Sequence, residues 1–323
     1  MTAPDTENGM ERTEHRRARQ RQRLQAAEAG VFAHYGIAAV SGPLVLADPP
    51  MRTRVVRVGH GPATVLLHGA TLASAAWAPL LPHLQGRTLY LVDLPGCGLA
   101  DPFDYEGVDL SAHQTAFVGS VLDALGLQEA ALVGASMGGW FALRFAIERP
   151  ERVVAVALVT APAIALPGAV VPVPMAVTST RLGRRLSAVT PPPSARMTRR
   201  LLATIGGDGS VAEVPDAMFD ALGAAMALGT DSSTSLDLFR WRTPHPHLQV
   251  GDSELSGCRP PVLFVWGEDD KVQSPDAGQR AAGLLPKGRI EVLPGGHGLW
   301  FDQPHRCGQL LTEFLREAEQ QPA

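Results

Sequence analysis

AALVGASMGG, residues 130–139, decides the fold. Ala130–Val133 is a short, continuous apolar run of the kind found in a strand buried on both faces. Met137–Glu148, which follows, has helical spacing and ends near Pro150. Between them, Gly134–Ala135–Ser136–Met137–Gly138 is a G-x-S-x-G corner. A strand-to-helix turn this sharp strains the serine backbone and projects its hydroxyl above the sheet edge. Only small residues fit beside the turn, which explains why Gly134, Ala135, Gly138 and Gly139 occur together. The turn also places Ser136 at a helix N-terminus, where backbone N–H groups favour negative charge. Ser136 is therefore a candidate nucleophile.

Outward from this corner, short apolar runs alternate with helical patterns. Val55–Val58 and Thr64–Leu67 read as strands on either side of the turn Gly59–Pro62, and Thr88–Val92 as a third. Asp109–Leu125 has helical spacing with Gly126 as its stop. Val153–Val159 is a further strand. The rhythm resumes after Pro261 with a strand at Val262–Trp266, a helix at Pro275–Leu285, a strand at Arg289–Leu293 and a helix from Pro304 to Ala318. This alternation predicts an α/β fold, a mostly parallel sheet with helices on both faces. Residues 162–260 break the rhythm with a Pro-rich stretch followed by helical spacing at Arg181–Val189, Met197–Thr204, Pro215–Met226 and Ser232–Arg240. We read 31–161 and 261–323 as the core and 162–260 as a helical insertion. Residues 1–30 read as a charged tail or solvated helix, because residues 11–23 hold six arginines and two glutamates and no apolar run.

A serine hydroxyl needs a base. Among ten histidines, His297 stands out in Leu293–Pro294–Gly295–Gly296–His297–Gly298, where glycines let a loop hold an imidazole over the sheet edge. Asp270, in Trp266–Gly267–Glu268–Asp269–Asp270, follows the preceding strand and can orient that imidazole, with Asp269 one residue away as the competing choice. For a developing oxyanion, the backbone N–H groups of Ala70, after His68–Gly69, and of Met137 are the expected donors. His68 reads as a structural residue holding its loop.

These residues resemble the α/β-hydrolase family. The marks are Leu67–His68–Gly69, Asp93–Leu94–Pro95–Gly96–Cys97–Gly98, Gly134–Ala135–Ser136–Met137–Gly138–Gly139, Trp266–Gly267–Glu268–Asp269–Asp270 and Gly296–His297. The resemblance implies a triad in the chain order Ser136, Asp270, His297, and it favours Asp270 because the family's acid sits three residues after the glycine of the Trp–Gly turn. Some members carry the acid after the strand that here ends in Thr160–Ala161, where no carboxylate occurs. The insertion looks like the family's lid. Relatives that use Asp at the nucleophile position, epoxide hydrolases and dehalogenases, are disfavoured by Ser136. Meta-cleavage C–C hydrolases usually carry a glycine-rich stretch where Ala70–Thr71–Leu72–Ala73 stands here.

Composition narrows the partners. With 45% hydrophobic and 19% charged residues and a net charge of -4, the chain has material for a sizeable core and no global attraction to nucleic acid. No apolar run is long enough for a membrane span, since Pro162, Pro167, Pro172 and Pro174 interrupt the most apolar region. Three scattered cysteines fit a reducing, cytoplasmic setting. His245–Pro246–His247 has no third ligand in view, and neither a metal nor another cofactor is expected. The sequence carries no mark of oligomeric state. Within the insertion, Met218, Phe219 and Trp241 are the expected substrate contacts, with Val170, Val171, Val173, Met175, Met226, Leu238 and Phe239 as further candidates for lining the pocket. The expected activity is hydrolysis of an ester or lactone of an apolar small molecule. C–C bond hydrolysis, a lyase or cyclase step, and a slow receptor-like hydrolase are the alternatives.

Overall fold

The computed structural model describes residues 4–105, 107–178, 180, 182–183, 193–206, 214–229, 239–240 and 243–320. Its strands, in chain order, are β1 (Ala39–Ala47), β2 (Pro50–Gly59), β3 (Ala63–Leu67), β4 (Thr88–Val92), β5 (Ala130–Gly134), β6 (Val153–Val159), β7 (Phe239–Arg240), β8 (Thr243–Pro244), β9 (Val262–Gly267) and β10 (Gly288–Leu293). Eight of them form one sheet in the order β1-β2-β4-β3-β5-β6-β9-β10, with β2 antiparallel to both neighbours and the remaining pairs parallel. β5 and β9 are buried at every position, as their unbroken apolar runs require.

The two sides of the sheet follow from the two-residue period of a strand. Val65, Leu67 and Leu132 face one core with α2 (Leu110–Ala124) and α3 (Met137–Glu148), and Leu66, Ala131 and Val133 face the other. The described helical segments that follow are α4 (Val173–Thr178), α5 (Ala195–Gly206), α6 (Asp216–Gly229), α7 (Asp252–Ser256), α8 (Pro275–Leu284), α9 (Leu299–Asp302) and α10 (Pro304–Gln320). β6 and β9 are direct neighbours, so the chain between them leaves the sheet and returns beside its own exit. The helical reading of Ser232–Arg240 needs correction at its end, because Phe239–Arg240 pairs antiparallel with Thr243–Pro244. Aromatic and Thr residues suit a short ribbon, and Pro244 cannot continue a helix. The rest of that stretch, and most of 181–189, lies outside the described residues.

β1 escapes the sequence reading. Gly42–Pro43 looks like a turn, but proline is tolerated on an edge strand, and β1 is the edge, with Val40 72% and Val45 69% exposed.

Of the two readings of the charged N-terminus, tail or helix, the helix is the one that forms, and it is docked on the fold rather than solvated all round. It is α1 (Pro4–His34), whose Leu24 and Val31 are fully buried and which packs along α6. Glu28, between them, is buried against Arg54 of β2. Arg54 also donates to Asp93 from Nε (2.8 Å) and Nη2 (3.1 Å). Burial works against the Arg54 charge, but Asp93 and Glu28 outweigh it and push its pKa above the ordinary value. Removing one member of such a group strands the others, at about 3–5 kcal/mol. Asp93 further accepts from Ser74 N (2.8 Å) and Leu99 N (2.8 Å), which fixes the turn after β4.

Two histidines are held neutral in the core. Burial lowers His68, and it lowers His113, stacked on Phe103, from 6.5 to about 4. A histidine with a depressed folded pKa takes up its proton on unfolding. Stability is therefore complete above about pH 6.5 and is lost as pH falls toward 4. We expect chemical denaturation at pH 5 to show a protein less stable than at pH 7, with His113 contributing on the order of 1–2 kcal/mol of the difference. A His113→Phe protein should lose that share, and an unchanged pH difference would refute the assignment.

Candidate active site

Ser136 has φ 51° and ψ -117°, a strained conformation for a residue with a side chain, of order 1–3 kcal/mol. Its surroundings enforce it. A Cβ on Gly134 would lie 2.5 Å from the Gly138 carbonyl oxygen, and one on Gly138 would collide with the Leu67 carbonyl at the end of β3. Ala135 N–H donates to Leu67 O (3.0 Å), Gly138 N–H to His68 O (3.1 Å) and Trp140 N–H to Ser136 O (3.1 Å). The corner is thus locked to the neighbouring strand.

His297 and Asp270 come from the loops after β10 and β9. Close approach of those loops needs glycine: a Cβ on Gly267 would sit 2.5 Å from Gly296 O. Asp269 N–H donates to Gly295 O (2.9 Å), which ties the two loops together, while its side chain stays exposed. Asp270 points inward instead. His297 Nδ1 lies 3.0 Å from Asp270 Oδ1 and 2.9 Å from Oδ2, and the carboxylate also accepts from Val272 N (2.8 Å) and Gln273 N (3.3 Å). Burial pushes the Asp270 carboxyl up, but His297 and the donated hydrogen bonds outweigh it and hold it below its ordinary value. An ionised Asp270 fixes the imidazole proton on Nδ1 and leaves Nε2 able to accept one.

Thr160, at the end of β6, is the residue that the sequence reading passed over. Its hydroxyl donates to Asp270 Oδ2 (2.9 Å), lies 3.0 Å from His297 Nδ1 and is fully buried. Its φ of 86° is an outlier for a β-branched residue, a form of strain that persists where surrounding structure over-determines it. The only signal in the sequence is its place, where some α/β hydrolases carry their acid. A hydrogen bond to a charged group contributes about 1.5–3 kcal/mol, so Thr160→Val should lower kcat roughly 10- to 100-fold with KM little changed. Thr160→Ser should restore most of it. Equal rates for wild type and Thr160→Val would remove Thr160 from the site.

His68 is buried and plays the holding role its place suggests, with Nδ1 donating to Gly69 O (2.7 Å) and Nε2 accepting from Leu94 N (3.0 Å). Ala70 and Met137 both border the cavity onto which Ser136 and His297 open. Met137 begins α3, where N–H groups have no partner within the helix.

The cavity measures about 1210 Å³ including its open mouth. Ile164, Val170 and Val171 line it from the Pro-rich stretch, Phe219, Leu222 and Met226 from α6. Val170 N–H donates to Val272 O (2.7 Å) and Gln273 Nε2 to Pro167 O (2.8 Å), which fastens that stretch to the loop carrying Asp270. Of the three expected contacts, Phe219 lines the cavity. Met218 does not line it and is instead fully buried in the apolar cluster that also holds Leu24 and Val31 of α1, and Trp241 lies outside the described residues. Among the described residues no group of three His, Cys, Asp or Glu is placed to hold a metal.

Strand order, corner and loop geometry define a fold that comparison with known proteins confirms. The sequence profile of the alpha/beta hydrolase fold matches residues 62–304, and the chain belongs to that family. A 2-hydroxy-6-oxononadienedioate/2-hydroxy-6-oxononatrienedioate hydrolase of Burkholderia vietnamiensis is 29% identical over 262 residues, covering 79% of this chain and 87% of that one. Among solved structures, a carboxylesterase from Bacillus subtilis superposes with TM-score 0.73 at 22% identity, covering 92% of this chain and 98% of its own. A meta-cleavage product hydrolase from Pseudomonas fluorescens superposes with TM-score 0.66 at 22% identity, covering 86% and 98%. The two superpositions establish the fold, and the protein is a hydrolase. Among the described residues no helix is long and apolar enough to cross a membrane.

Proposed function

We propose that the protein hydrolyses an ester or lactone of a neutral, apolar carboxylic acid through an acyl-enzyme on Ser136. Ser136 Oγ attacks the carbonyl carbon as His297 Nε2 takes its proton. Asp270, held by Thr160, orients His297 and stabilises the imidazolium. The Ala70 and Met137 N–H groups receive the oxyanion. The leaving alcohol departs with the proton from His297, and water, activated by the same imidazole, releases the acid. No step calls for a cofactor or a metal. The segment 162–260 acts as the lid that shapes the acyl cavity, and three free, buried cysteines suit a reducing cytoplasm.

The observation that carries this reading is the character of the cavity beside Ser136. Leu72, Ile164, Val171, Leu201, Phe219 and Val272 line it, a surface that gains free energy by covering an alkyl or aryl group. C–C hydrolysis is the second reading, because the Burkholderia relative is named for it. A dienedioate carries two carboxylates, and burial of a carboxylate against such a wall is costly without a paired charge. A panel of p-nitrophenyl hexanoate, its adipate half-ester analogue with a free carboxylate, and a 2-hydroxy-6-oxodienoate separates the two. We expect kcat/KM for the hexanoate to exceed the charged analogue roughly 100-fold. Faster turnover of the dienoate than of any ester would overturn the ester reading.

A further inference from the structure

We propose that α1 determines acyl-chain selectivity without touching the substrate, by fixing the cavity-wall helix α6 through Leu24, Glu28 and Val31. The meaning of this for catalysis rests on the acyl-cavity reading above.

α6 has three working faces. Phe219, Leu222 and Met226, spaced at three and four residues, look into the cavity. Met218, Ala221 and Ala225, one step round the helix, share an apolar cluster with Leu24 and Val31 of α1. Gly223 meets α5 and the chain before it, where an added Cβ would stand 2.7 Å from Thr198 Oγ1. Phe219 and Leu222 belong both to the α1 cluster and to the cavity lining, so a shift of α6 on α1 is a shift of the cavity wall.

α1 is itself bolted to the core by the same short stretch. Arg21 Nη2 donates to Leu99 O (2.8 Å), and the Glu28 carboxylate receives the Arg54 guanidinium (Nη2–Oε1 2.8 Å) and Ala75 N–H (3.4 Å). Arg23 Nη2 meets Asp220 Oδ1 of α6 at 3.2 Å. Among the described side chains of α1, Leu24, Glu28 and Val31 are the buried ones, at successive turns, so members of the apolar cluster shared with α6 and an ionic contact to the sheet alternate along one helix stripe. The matched family region begins at residue 62, so α1 and its brace lie outside the stretch that the profile covers. Shortening the stripe gives α6 room to retreat toward α1, and the cavity lengthens.

The test uses the full-length chain and alkyl fluorophosphonates with ethyl and decyl groups, which report space beside Ser136 whatever the natural substrate is. Leu24→Ala/Val31→Ala should raise the decyl-to-ethyl ratio of labelling rates about tenfold or more, with the ethyl rate within about threefold of wild type. Hydrogen exchange over 216–229 should quicken while 130–148 stays as in wild type. Gln22→Ala, on the exposed face of α1, should change neither. An unchanged ratio in the folded double variant overturns the proposal. Should the double variant fail to fold, Val31→Ala and Glu28→Gln decide it by the same ratio. Should neither reagent label wild-type Ser136, the acyl-enzyme reading fails, and exchange over 216–229 still decides whether α1 holds α6: faster exchange in the variants supports the brace, unchanged exchange overturns it.

Discussion

A Ser136→Ala protein should hydrolyse esters about 10⁴- to 10⁶-fold more slowly than wild type. The corner tolerates alanine, since its packing constraints fall on Gly134 and Gly138 and its hydrogen bonds run through backbone atoms. Folding should therefore be preserved, and loss of rate will report the hydroxyl alone. What remains comes from the oxyanion donors and from binding in the cavity, which a Ser136→Ala chain keeps. Circular dichroism and a denaturation midpoint close to wild type, measured beside p-nitrophenyl hexanoate turnover, make the result interpretable. Near-normal turnover by the folded variant would rule out a serine nucleophile.

Asp270→Asn should cost on the order of 10³–10⁴ in kcat, whereas Asp269→Asn should cost less than about threefold. Asparagine in place of Asp270 loses the charge that stabilises imidazolium, and its NH₂ group favours the wrong imidazole tautomer. Asp269 serves through its backbone N–H to Gly295, which asparagine retains. The paired comparison, at matched folding, isolates the side chain that meets His297 at 2.9 Å. If Asp269→Asn proved the crippled variant, the orienting role would belong to the exposed neighbour and the geometry would be misread.

Much of this architecture is legible in the residues, and the gaps have physical causes. The 130–139 corner is readable because its turn admits only small residues, so composition and position coincide. The choice of Asp270 over Asp269 needed a resemblance, because adjacent carboxylates differ only in which one the loop buries. Thr160 is invisible for another reason: its partner Asp270 lies 110 residues away, and nothing local distinguishes a hydroxyl that donates to a buried acid. Met218 and Phe219 show the limit of spacing. Adjacent helical residues point about 100° apart, and a periodic pattern does not say which apolar face meets the cavity and which meets another helix. On α1 the Arg-rich run conceals an inward stripe, because a glutamate stands between its two apolar members and reads as exposed unless Arg54 is known to face it. β1 is hidden by Gly42–Pro43, which an edge strand accommodates.

The most direct measurement is peptide-mapped mass spectrometry after stoichiometric reaction with an alkyl fluorophosphonate, read beside ester turnover in the same sample. The expected result is one adduct per chain on the peptide containing Ser136, with turnover lost in proportion to labelling and no adduct in Ser136→Ala. An adduct on a different residue, or full ester turnover by protein labelled at Ser136, would contradict it.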